Sequence, residues 1–115
     1  MKNNPLKDKS YQFAIRIVKL SQFLQQEKKE FVLSKQVLRS GTAVGALICE
    51  AEFGQSKPDF TSKMSIALKE ANETEYWLSL LMDTDYISEN QFISLKSDCE
   101  ELIAMLVSTV KTSKS

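Results

Sequence analysis

Between Arg39 and Glu50 the chain runs for ten residues without a charge, as Ser40-Gly-Thr-Ala-Val-Gly-Ala-Leu-Ile-Cys49. Read as a helix of 3.6 residues per turn, this run covers nearly three turns, so the middle of the helix has no fully solvated side. It must lie centrally among other elements. Ser40, Gly41, Ala43, Gly45, Ala46 and Cys49 are all small, and a glycine inside a helix costs about 1 kcal/mol relative to alanine. Close approach of neighbouring helices is what offsets that cost. A phosphate-cradling loop is the competing use of paired glycines, but it needs Gly and Lys directly after the turn. Ala46 and Leu47 stand there instead. Gly41 and Gly45 are therefore read as helix-packing residues.

The rest of the chain supplies the neighbours. With three glycines and two prolines in 115 residues, there are few places to turn, which favours long helices over many short strands. The first helix is expected over about 8–29, with Phe13, Ile17, Leu20 and Leu24 as its stripe and Tyr11, Ala14, Ile15 and Val18 widening it. The second spans about 34–53. A third, about 57–84, opens at a capping box, Ser56-Lys-Pro-Asp59, and a fourth, about 89–111, opens at Ser88-Glu-Asn-Gln91 with Ile87 and Phe92 as a hydrophobic staple. The terminal KTSKS is expected to fray. The fold class predicted is all-α, an antiparallel up-and-down four-helix bundle in a single domain. Helices 1 and 2 carry more apolar surface than one bundle interior needs, which predicts a homo-oligomer.

The formal net charge is zero, so no global field draws the protein to nucleic acid or to an anionic membrane. The distribution is uneven: residues 1–57 hold ten Lys/Arg and five Asp/Glu, and residues 58–115 hold five and ten. Pairing within or between subunits is the expected use of that asymmetry. Cys49 and Cys99 form no CxxC motif and lie among apolar residues, so both are read as reduced core cysteines. The charged start lacks the apolar core of a secretory signal. The longest uncharged run is half the roughly 20 residues that a membrane span needs. A cytoplasmic protein without membrane contact is the expectation.

No catalytic constellation stands out. Glu50, Glu70, Glu73 and Glu75 invite a carboxylate-bridged metal site, yet di-iron bundles pair glutamate with histidine and this chain has none. An all-carboxylate divalent-metal hydrolase using Glu50, Glu70 and Glu73 stays open as a lesser alternative. The competing reading pairs Lys69 with Glu73 along one helix and Glu70 with a cation of another. Without histidine, neither Cys49 nor a serine has the usual base beside it. Tyr76-Trp77 could stack a base but fits better as partly core and partly interface. No catalytic, cofactor or metal residue is assigned. The best binding candidate is the basic set Arg16, Lys19, Lys28, Lys29, Lys35 and Arg39, which helix 1, its turn and the start of helix 2 could gather on one end or edge for salt-sensitive phosphate contact.

The stretch from Leu38 to Leu81 carries a further pattern. It contains Arg39-Ser40-Gly41-Thr42, Ile48-Cys49-Glu50, the cap from Ser56 to Asp59, Ile66-Ala67-Leu68, and Glu73-Thr74-Glu75-Tyr76-Trp77-Leu78. This resembles the bacterial 23S ribosomal RNA intervening-sequence protein family, also called S23-like. Helices 1 and 4 agree in length and pattern only. The resemblance implies a bundle assembling as a ring-like homopentamer, with no established enzymatic activity. The accessory variability determinants of diversity-generating retroelements are similar and imply a basic surface that engages RNA and a reverse transcriptase. This chain is neutral where those relatives are strongly basic. The combined expectation is a non-enzymatic, oligomeric bundle with RNA as favoured partner. The alternative is an adaptor that binds only protein.

Overall fold

A computed structural model describes residues 4–115. Four helices follow one another, α1 (Pro5–Glu27), α2 (Leu33–Glu52), α3 (Lys57–Asp83) and α4 (Glu89–Lys114), with no strand among the described residues. Contacts at both ends fix their directions. Lys7 at the start of α1 meets Glu52 at the end of α2 at 2.7 Å, and Ser21 near the end of α1 donates to the Ser34 carbonyl at the start of α2 at 3.2 Å. Lys63 lies 3.9 Å from Glu50 while Arg39 reaches Glu70, so α2 and α3 are antiparallel. Thr61 bonds Ser113 across α3 and α4. The result is an up-and-down bundle 43 × 24 × 19 Å in extent, in which α1 and α4 touch least of the adjacent pairs.

Each helix starts where its orphan N–H groups find an acceptor. Asn4 Oδ1 accepts from the Lys7 N–H at 3.1 Å and Pro5 opens the helix, so α1 begins at residue 5 and not near Asp8: proline lacks the N–H that the first turn would leave unpaired. Ser88 and Gln91 form the complete reciprocal box, at 3.1 and 2.8 Å, between the buried Ile87 and Phe92. Ser56 accepts from the Asp59 N–H at 3.2 Å, but the Asp59 carboxylate takes the N–H of Gln55 and not that of Ser56. That cap is half of a box.

Two ends differ from the sequence reading. Helix α1 stops at Glu27 because Lys29 adopts a left-handed φ of 54°, and this turns Glu30 back under α2. Glu30 is only 9% exposed, and its carboxylate accepts the N–H groups of Val32, Leu33 and Ser34 at 3.2, 3.0 and 2.8 Å. At the other end, KTSKS is part of the helix almost to its last residue. Helix α4 continues to Lys114, held by the Thr61–Ser113 bond and by Lys57 on the Ser115 carbonyl, with Lys111 and Lys114 opposing the negative helix end.

The core takes the inner stripes of all four helices, including Phe13, Ile17, Leu24, Val44, Ile48, Leu78, Leu81, Leu102 and Leu106. A Cβ added at Gly41 would come within 2.8 Å of both Ile17 branches, so α1 rides directly on the backbone of α2 there. At Gly45 the nearest atoms, of Ser10, would be 3.4 Å away, which is ordinary contact. The cysteines divide. Cys99 is buried, its thiol donating to the Ala71 carbonyl at 3.2 Å, and burial pushes its pKa up to about 12. Cys49 is exposed, contrary to the core reading, because it points away from the bundle on the outer side of α2.

Candidate nucleic-acid interface

The six candidate cations separate into two groups. Arg16 points from α1 to α4, where its guanidinium binds Asp98 at 2.6 Å, Ser94 Oγ at 2.9 Å and the Ser94 carbonyl at 3.3 Å. Arg39 points from α2 to α3 and pairs with Glu70 at 3.2 Å and with Glu73. Both arginines clamp helices together, and their charges are largely compensated. The charge asymmetry of the two sequence halves is spent in such pairs, including Lys9 with Glu101 at 3.1 Å.

Lys19, Lys28, Lys29 and Lys35 are different. All four are exposed, and among the described residues none has a carboxylate within ion-pair distance. They follow the second half of α1, its turn and the first turn of α2, so the fold collects them toward one end of the bundle. Lys28 Nζ stands 5.8 Å from the centroid of the Phe23 ring. Compact ammonium groups on flexible stems, free of partners, are suited to phosphate as point charges.

The carboxylates do not converge. Glu50 lies near Lys63, Glu70 and Glu73 are held by Arg39, and Glu75 faces α4. No three His, Cys, Asp or Glu side chains among the described residues are placed to hold a metal ion. Lys69 does not pair with Glu73; the Glu73 carboxylate is taken by Arg39 and by the Trp77 indole N–H at 3.1 Å. Desolvation first, and the neighbouring Glu100 carboxyl second, raise the pKa of Glu75 above its ordinary value, against a lowering by Lys96. One Glu75 oxygen, Oε2, is buried without a partner.

The motif residues of the central stretch form the α2–α3 joint. Arg39, Glu73 and Trp77 make one network, Thr74 Oγ1 lies 2.9 Å from the buried Ser40 Oγ, Ser56 and Asp59 cap α3, and Glu50 lies near Lys63. Tyr76 is exposed and meets Trp77 edge-on, with centroids 5.1 Å apart. The profile of the 23S rRNA-intervening sequence protein family matches residues 2–108. The chain belongs to that family. The crystal structure of a protein of unknown function from the S23 ribosomal protein family of Bacteroides thetaiotaomicron is 57% identical, covers 92% of this chain and 98% of its own, and superposes with a TM-score of 0.91. None of the curated proteins compared matches. In this chain Arg39, Glu73, Trp77, Ser40 and Thr74 hold α2 and α3 together.

Two features of the site were not read from the sequence. The Glu30 cap escaped because a glutamate two residues before the N-cap lies outside the Ser/Thr/Asp/Asn signature. The open seam between α1 and α4 depends on how far apart two helices stand, which no residue pattern states.

Proposed function

We propose that the protein is a non-enzymatic, cytoplasmic, oligomeric bundle that associates with RNA through the lysines at the α1–α2 end. The observation that carries this reading is the gathering of Lys19, Lys28, Lys29 and Lys35, exposed and without carboxylate partners. Four cations on one protomer give weak binding, and copies in a ring multiply the contact. A ring of five is the arrangement that the family resemblance implies. Membership of the 23S rRNA-intervening sequence protein family supports RNA over DNA as the partner. No helix among the described residues is long and apolar enough to cross a membrane, in keeping with a cytoplasmic setting.

Fluorescence anisotropy with a structured rRNA fragment and a control duplex DNA, over a salt series, tests the reading. Binding of RNA whose logarithm falls linearly with log salt is expected, with a slope of about 0.7 to 0.9 per phosphate engaged. Replacing Lys28, Lys29 and Lys35 by glutamate is expected to abolish it. Absence of RNA binding at low salt would overturn the reading in favour of a protein adaptor, for which the exposed Tyr11, Phe31, Val32 and Phe53 supply the contact surface.

A further inference from the structure

The seam between α1 and α4 opens at two places. The lower opening, about 250 Å³, has Asp8, Asp98 and Glu101 in its lining against a single Lys9, a balance that repels phosphate. The upper opening, about 380 Å³, is lined by Arg16, Lys19, Leu20, Phe23, Gln91 and Leu95. Two cations, one amide and three apolar side chains face that space, with no carboxylate among them. Its volume lies at the small end of ligand sites, which run from about 300 to 1,000 Å³ and combine apolar walls with a few placed polar groups.

Phe23 is half-buried and packed against the core, so its ring is held in place before any ligand arrives. Lys28 stands over the same ring. An aromatic face beside free ammonium groups is the pairing that single-stranded nucleic-acid sites use: the ring stacks a base and the cations hold its phosphates. Gln91 Oε1 is engaged by the Ser88 N–H, which leaves its amide N–H groups for an acceptor on a base edge. Arg16, fixed by Asp98 and Ser94, forms a wall without adding much free charge.

We propose that the upper α1–α4 cavity receives one unstacked base of single-stranded RNA, laid against Phe23, with its flanking phosphates on Lys19 and Lys28. This rests on the RNA reading above and narrows it to unpaired loops or ends. A base inside a duplex has no free face to offer such a pocket.

The test uses a short single-stranded RNA carrying one 2-aminopurine, and the same sequence annealed as a duplex, each titrated with the full-length protein over a salt series. The single strand is expected to bind more tightly, with the 2-aminopurine fluorescence quenched on binding. Phe23→Leu is expected to weaken binding roughly 5- to 100-fold, the usual worth of one stacked base, with the salt slope unchanged. Lys19→Gln, on an exposed side chain that does not hold the fold, is expected to lower that slope by about 0.7. Thermal melts confirm that both variants are folded. If RNA binds but the duplex binds as well and neither variant changes affinity, quench or slope, the cavity is not the site, Lys19 leaves the interface, and the RNA reading rests on Lys28, Lys29 and Lys35. If neither RNA form binds at low salt, both fall together.

Discussion

At Gly41 the space for a side chain is already filled by Ile17, a fully buried branched residue that cannot swing aside. An added methyl there overpacks the α1–α2 contact by about 1–3 kcal/mol, of which alanine returns about 1 kcal/mol through helix propensity. Gly41→Ala is therefore expected to lower stability by up to about 2 kcal/mol. Gly45→Ala meets only ordinary contact with Ser10 and is expected to gain up to about 1 kcal/mol. Melting both variants at one protein concentration checks the opposite signs. Glu75 offers a second test at this scale. Its folded pKa is raised, first by desolvation and then by Glu100, so the folded state favours its protonated form. That contribution is complete below the ordinary carboxyl value of 4.5 and is lost as pH rises through the folded value. Glu75→Gln removes the ionised form while keeping the shape of the side chain. It is expected to be more stable than the parent at neutral pH, with the advantage vanishing below about pH 4. Denaturant melts at several pH values would show this; an advantage that persists in acid would mean that shape, not charge, limits the site.

Helix ends show what the chain makes legible and what it conceals. The caps at Ser56 and Ser88 follow from side chains that reach their own third residue, a local matter that spacing reveals. The start of α1 was legible too, since Asn4-Pro5 pairs a good N-cap with the residue best suited to the first turn; the apolar stripe drew the boundary inward because the polar run from Lys7 to Ser10 follows the buried Leu6. Glu30 is another case. Its use as a cap depends on the left-handed turn at Lys29, and without that turn its carboxylate would point into water. Three N–H groups rest on it, and losing a cap costs about 0.5–2 kcal/mol. Glu30→Ala is expected near the upper end of that range, and Glu30→Gln, which keeps one acceptor oxygen, is expected to lose less. Equal losses in denaturant melts would show that the residue acts by packing. The candidate site was half legible for the same reason. The list of cations is in the sequence, but which of them are free depends on registry between helices distant along the chain, and Arg16 and Arg39 find carboxylates that only the packed bundle brings to them.

Across the whole molecule, α1 keeps two apolar faces. Phe13, Ile17 and Leu24 fill the core, while Tyr11, Ile15 and Val18, spaced four and three apart, remain exposed on another side. Helix α2 adds the exposed Ala46 and Cys49, and its C-cap Phe53 is 79% exposed. The uncharged centre of α2 thus has one side inside the bundle and another outside it, where the sequence reading required a neighbour; in the oligomer proposed above, a second copy takes that place. Sedimentation equilibrium is expected to give a mass well above the 13.1 kDa of one chain. The double variant Ile15→Glu with Val18→Glu, at positions that the bundle interior does not use, is expected to return it to one chain without lowering helix content. Ile93→Glu, more exposed than either and on α4, is expected to leave the mass unchanged and serves as the control. A parent protein that is monomeric across micromolar dilutions would remove the basis for assembly through α1 and α2. The same variants bear on RNA, because the four free lysines of one chain are few and assembly multiplies them. If α1 and α2 join the copies, the monomeric double variant must show both weaker RNA binding and a shallower salt dependence than the parent. A monomer that binds RNA with the parent's slope would mean that each lysine cluster acts alone.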